Sequence, residues 1–318
     1  MIREFFWQEG FSETDTPVVV RLPGQEPYLN PVPVNLHGPK GDEHRFYLQT
    51  SPEFAMKKLL ASGYEKIFNM CKCFRDHEDF GGAHNTEFTM IEWYRSPGKL
   101  AEIMNDTENL FHHIGLKLGI SQIKYNNKTT DISAEWERIT MKDLWAKNIG
   151  INLDDYLETQ KMKELVKMRG YNAGDDDAYE DLFYKIFLNE IEPNLGVGRP
   201  VFVYDDPARM CSLSRLCKDD SGYAERFELY ICGLELANAF GELTDADEQN
   251  KRLEQDQALR KKLGKDIWPV DPDFISALRS GIGEASGIAL GADRMVLLFT
   301  GANDINEVIF GAVKDQIN

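Results

Sequence analysis

The chain of 318 residues carries 36 Lys and Arg against 53 Asp and Glu, a net charge of −17. So acidic a surface excludes non-specific binding to nucleic acid, which needs a basic face; most of the carboxylates read as a solvated acidic surface. With 42% hydrophobic and 28% charged residues the chain is not a mostly disordered one, and it holds no apolar run of membrane-spanning length.

The N-terminus lacks a basic segment leading into an apolar one, and the five cysteines form no disulfide framework, so a cytoplasmic location is expected. Residues 2–10 read as the last turns of a helix ending at Gly10. Val18 to Val20 read as a short buried strand, 21–44 as a Pro- and Gly-rich loop with one hairpin, and Arg45 to Gln49 as a strand. Ser51-Pro52-Glu53 opens a helix running to Gly63, with Ser51 as N-cap. Residues 66–75 and Glu87 to Tyr94 form a long-looped antiparallel hairpin. An amphipathic helix covers 98–119, and about 140–195 is a mostly helical insertion broken at 172–177. Strands return at 200–204 and 225–240. Helices follow at 244–264 and 272–280, then a strand from Ser286 to Leu290 and a helix from Ala292 to Thr300. Without regular βαβ alternation, the expected architecture is α+β: one domain over 1–318, a mostly antiparallel six-stranded sheet flanked by helices.

Three segments carry chemistry. Strand alternation puts Phe88, Met90, Glu92 and Tyr94 on one face, and Cys71, Cys73 and Arg75 on one face of the partner strand. That is either a ligand floor or a surface salt bridge between Arg75 and Glu92. In 225–240, a two-residue turn at Cys232-Gly233 places Tyr230 opposite Glu235, with Glu228 diagonal to Glu235. Such carboxylates repel unless a cation lies between them, as magnesium held partly by nucleotide phosphates does; the alternative is an exposed acidic edge. In Gly287-Ile288-Ala289-Leu290-Gly291-Ala292-Asp293-Arg294, small residues let a ligand approach the strand, and Arg294 opens the following helix. No Walker loop, Rossmann fingerprint or zinc spacing occurs, and the histidines have no triad-like context.

In this order and spacing, Thr16-Pro17, Phe74-Arg75 with His84 to Tyr94, and Gly287 to Arg294 resemble motifs 1, 2 and 3 of class II aminoacyl-tRNA synthetases. The second motif and Gly233 to Ala246 resemble the lysine type. There is no room before motif 1 for an anticodon-binding OB domain. Ser51 and Ala289 stand where lysyl-tRNA synthetases usually have Ala and Gly. Both features, with Trp93-Tyr94-Arg95, resemble the elongation factor P–lysine ligase family.

The resemblance implies ATP and Mg2+ as cofactors and lysine or β-lysine as substrate. It implies a lysine side chain of elongation factor P as acceptor, rather than tRNA, and a homodimer without membrane attachment. It makes Arg75 and Arg294 the catalytic cations, with Glu78, His84, Asn85, Phe88 and Glu235 joining them around ATP. Glu228 and Glu235 would hold the metal. Ser51, Glu53, Glu92, Tyr94, Asn238, Phe240, Glu242 and Ala289 would hold the amino acid, the acidic ones receiving its ammonium groups. A lysyl-tRNA synthetase core, a free-standing lysine-activating enzyme and a non-catalytic synthetase-derived binding protein are the alternatives. The chain departs from the family pattern in three places. The loop from Asp76 to Ala83 is one residue longer and lacks an arginine before His84, so Arg45 or a lysine is expected to replace its triphosphate contact. Thr86 replaces a proline, and the chain begins inside motif 1. Alternation also sets Asn238, Phe240 and Glu242 on the face opposite to Glu235, which requires a bulge between Glu235 and Asn238 if all line one site.

Overall fold

The computed structural model describes residues 1–317. The chain is α+β, in two compact units: Met1–Lys99 with Leu243–Asn318, and Leu100–Glu242. Among the described residues no helix is long and apolar enough to cross a membrane.

In the first unit the strand Glu87–Arg95 is antiparallel to Lys66–Phe74 on one side and to Ser286–Gly291 on the other. The short strand Ser12–Glu13 joins Lys66–Phe74 in parallel. Residues Met90 to Tyr94 are all buried, so both faces of this strand are covered. One cover is the helix Ile2–Gln8, which stacks Phe6 on Phe68 at 4.7 Å and against Trp93 at 5.1 Å. The hairpin expected within 21–44 is not confined to that loop: Pro33–His37 pairs with Glu43–Leu48, which takes in the strand expected from Arg45. Val19–Val20 adds to it as an outer strand, so Val19 is exposed where a buried strand was expected. The helix Ala246–Lys262 reads as polar on every side, yet Arg260 is fully buried. Its guanidinium lies 4.3 Å over Trp268 and donates to the carbonyls of Glu26 (2.7 Å) and Leu29 (2.8 Å), which fixes the loop.

In the second unit Tyr223–Ile231 is antiparallel to Val201–Pro207 and to Leu234–Gly241, and Glu137–Thr140 runs parallel to Val201–Pro207. The two units together hold eight such strands where six were expected. The six antiparallel ones are those the sequence marked, and the two additions are the short parallel pairs. The helix Leu100–Leu118 buries Leu100, Ile103, Leu110 and Ile114 at helical spacing. The sequence assigned nothing to the hairpin Gln122–Tyr125 with Lys128–Asp131, whose turn residues Asn126 and Asn127 both have positive φ. Within 140–195 the helices Met141–Ile149, Thr159–Met168 and Tyr179–Ile186 place Trp145, Leu165 and Phe183 in one buried cluster with Val203 and Tyr230.

The turn at Cys232-Gly233 forms as expected: both residues have positive φ, and Tyr230 faces Glu235. The register then shifts by one residue at Leu236. This is the required bulge, and it brings Asn238 opposite Glu228. A Cβ on Gly233 would stand 2.9 Å from the Pro193 carbonyl, at φ +73; one on Gly150, at φ +69, would meet nothing within 4 Å. Gly150→Ala should therefore cost only the backbone penalty of about 1–2 kcal/mol, and Gly233→Ala distinctly more. Urea unfolding of the two variants measures the difference.

Candidate active site

In the first unit, the helix Glu53–Ala61 and the strand Glu87–Arg95 present the carboxylates expected to receive ammonium groups. Pro52 rather than Ser51 stands at the N-cap of the helix, but Ser51 Oγ does accept the Glu53 N–H at 3.0 Å. The same hydroxyl donates to Glu92 Oε1 at 2.7 Å, and Tyr94 donates to Glu92 Oε2 at 2.9 Å. Ala289 pairs with Glu92 across the strands. Glu92 is almost wholly buried, and burial, then the nearby Glu53 charge, raises its pKa well above the ordinary carboxylate value. Glu53 itself already holds a cation: the buried Lys57, one helical turn on, donates to it at 2.5 Å. The i, i+4 spacing of the two residues on the helix allows this pair. Glu26 had no signal at all. Together with Gly24, Thr50, Ser51 and Glu53 it lines a cavity of about 40 Å³, and burial, then Glu53, pushes its pKa up. A space of that size admits an ammonium-sized group.

Arg75 and Glu92 form no ion pair among the described residues. Arg75 lies 5.1 Å over the Phe88 ring, and its buried Nε has no hydrogen-bond partner. A buried, unanswered guanidinium nitrogen fits an anion such as a phosphate or a substrate carboxylate. The loop between the two strands is anchored from outside, with Gly82 N–H donating to Asp304 and Ile305 N–H to the Gly82 carbonyl. Within it His84 Nδ1 meets Glu78 at 2.9 Å, which lowers the Glu78 pKa. The Asn85 side chain is spent on structure: it donates to the Glu87 carbonyl at 2.6 Å and accepts the Val313 N–H at 3.1 Å. Arg294 donates to the Ala83 carbonyl at 3.1 Å and lies beside His84 Nε2 at 3.4 Å. The cation that comes to this loop is thus Arg294. Arg45, expected as a substitute, is engaged in the hairpin with Asn35 and with Asp266. Asp293, another residue the sequence did not single out, accepts the Thr89 N–H at 2.6 Å and ties the Ala292–Thr300 helix to the Phe88 strand.

The second unit carries Glu228, Glu235, Asn238, Phe240 and Glu242. Glu235, Asn238 and Phe240 are the half-buried positions of their strand, and Glu228 and Glu242 are buried. Strict alternation would put Ala237 on the face of Glu235, and the bulge turns it away. Glu228 accepts from Tyr230 Oη at 2.5 Å and is paired with Arg226, whose Nη1 also meets Asp206 at 2.8 Å. Burial pushes Asp206 up to about 7 against the pull of Arg226. No group of three or more metal-ligating side chains occurs among the described residues. Two hard oxygen donors without a complete cage suit Mg2+, which keeps water and phosphate ligands, and do not suit a fully protein-bound metal.

The model of the class II tRNA synthetases (D, K and N) matches residues 1–312, and the chain belongs to that class. Its relatives narrow it further. The elongation factor P–(R)-β-lysine ligase of Pectobacterium atrosepticum is 35% identical over 318 residues, covering 98% of this chain and 92% of the relative. The proteins of that name from Yersinia enterocolitica and Klebsiella pneumoniae are each 36% identical over 310 residues, covering 97% of this chain and 90% of theirs. The chain is a member of the elongation factor P–(R)-β-lysine ligase family.

The raised pKa of Glu92 has a sign. Below the ordinary value of 4.5 the group is protonated folded and unfolded alike and contributes nothing. As pH rises past that value the unfolded chain gives up its proton while the folded protein keeps it. Stability therefore falls with rising pH until the raised folded value is passed. A cationic ligand answers the same group and reverses the loss. Glu92→Gln should melt roughly 2 °C or more above the parent at pH 8 and level with it at pH 4, while losing affinity for lysine. Scanning calorimetry at both pH values measures this.

Proposed function

We propose that this chain activates (R)-β-lysine or lysine with ATP as an aminoacyl adenylate and transfers the acyl group to a lysine side chain of elongation factor P. The observation that carries this reading is the buried, unpartnered Nε of Arg75, in the same unit as a buried carboxyl group braced by Ser51 and Tyr94. A substrate with one carboxylate and two ammonium groups answers both, whereas a neutral amino acid leaves the acidic groups unpaired.

In the first step a carboxylate oxygen of the amino acid attacks the α-phosphorus, an O–P bond forms and pyrophosphate leaves. The nucleophile is already charged, so no general base is needed and the rate comes from positioning and charge neutralisation. Arg75 neutralises the α-phosphate and the carboxylate, Phe88 carries the adenine, and Arg294 takes the γ-phosphate, with Glu78, His84 and Asn85 shaping the loop around them. Glu228 and Glu235 are the ligands for Mg2+, which when bound neutralises phosphate charge. Glu53, Glu92 and Glu242 take the ammonium groups, with Phe240 walling the aliphatic chain. In the second step the amine of the acceptor lysine attacks the acyl carbon, an amide forms and AMP leaves. The chain acts in the cytoplasm as a homodimer.

Radiolabelled lysine or (R)-β-lysine, ATP and either elongation factor P or tRNA test the reading. ATP-dependent label is expected on elongation factor P. Label on tRNA instead would make the chain a tRNA synthetase core, and absence of both label and pyrophosphate exchange would make it a binder. Ser51 and Ala289 are the selectors between α- and β-amine: the Ala289 methyl crowds an α-amine, and Ser51 holds Glu92 in place. Ser51→Ala with Ala289→Gly should raise activation of lysine relative to (R)-β-lysine about tenfold, or about 1.4 kcal/mol. Pyrophosphate exchange with each amino acid reads the ratio.

A further inference from the structure

Arg226 is nearly buried and takes no part in the roles assigned above, yet its guanidinium joins three strands of its unit. Nη1 meets Asp206 on Val201–Pro207 at 2.8 Å, Nη2 meets Glu228 on its own strand, and Nε donates to Asn238 Oδ1 on Leu234–Gly241 at 3.1 Å. The last bond has a chemical consequence. A guanidinium only donates, so the Asn238 atom facing it has to be the carbonyl oxygen, and the amide cannot be turned the other way. The Nδ2 end then points away from Arg226. No other bond of this side chain occurs among the described residues. Asn238 lies opposite Glu228, on the half-buried face it shares with Glu235 and Phe240. What it offers a ligand is two N–H donors.

An ammonium group also only donates and gains nothing from such an end. We propose that Arg226 is a positioning residue which commits Asn238 to bind the carboxylate of the amino acid, not an ammonium group. This rests on the function proposed above and refines it: Asn238 helps to hold the nucleophilic carboxylate for its attack on ATP. Arginine is required here because its planar fork reaches three acceptors at fixed angles, which a lysine ammonium on a flexible stem cannot do.

The test is binding by isothermal titration calorimetry with two ligands, (R)-β-lysine or lysine, and 1,5-diaminopentane, which keeps both ammonium groups and lacks the carboxylate. Arg226→Lys and Asn238→Asp are compared with the parent. Asn238→Asp keeps an acceptor for Arg226 and replaces the donors by a charge that repels carboxylate, so it guards against misfolding of the Arg226 variant. Both variants should weaken the amino acid about tenfold or more, the scale of one charge-assisted hydrogen bond, and neither should weaken diaminopentane by more than about twofold. Equal losses for the two ligands would reduce Arg226 to a structural tie and overturn the proposal alone. A parent protein that binds neither amino acid would overturn the functional reading and this refinement with it.

Discussion

The candidate site depends on carboxyl groups held out of water. Each buried carboxylate has to be hydrogen-bonded, paired with a cation or protonated, because its desolvation is otherwise too costly. The chain uses all three solutions. Glu228 has Tyr230 and Arg226. Glu53 has Lys57. Glu92 has only hydroxyl donors from Ser51 and Tyr94, with no cation of its own, and its pKa is correspondingly raised. Glu228 and Glu53 thus carry a resident cation before any ligand arrives. Glu92 has no such cation, so its electrostatic need is open to a ligand.

The opposite requirement appears at Arg75. Its Nε is buried without an acceptor while its guanidinium rests on the Phe88 ring. An unmet cation and an incompletely met carboxyl group in one unit describe a zwitterion with an additional positive charge, which is what a lysine-like amino acid is. Stability is given up at both places, and a ligand carrying the opposite charges would restore it.

Each unit braces its own irregular segments in identifiable ways. The loop carrying Glu26 has little regular structure, and Arg260 holds it through two carbonyls and the face of Trp268. The long loop of the strand hairpin is braced at Asp304 and Ile305. On the Leu234–Gly241 strand a single extra residue at Leu236 re-aims everything beyond it. Each device is local, and each fixes the backbone that carries a charged or amide side chain.

Much of this was legible in the residue order. The strand hairpin, the glycine-flanked final strand and the tight turn at Cys232-Gly233 follow from alternation and turn chemistry. The need for a bulge before Asn238 follows from parity, because Glu235 and Asn238 are an odd number of residues apart. Pairings that depend on residues distant in sequence were not legible. Arg260 lies on a helix whose pattern is polar throughout, and only the loop folded beneath it makes it a buried residue. Val19 is apolar but sits on an outer strand, where it is exposed. Glu26, Asp293 and Arg226 carry no periodic signal, since a charge becomes a site element only through the neighbours that tertiary packing supplies. The sequence by itself determined the order of the strands, the types of charge and the class of chemistry. The tertiary structure alone decided which charges are neutralised within the protein and which wait for a partner, because desolvation depends on what surrounds a group and not on its place in the chain.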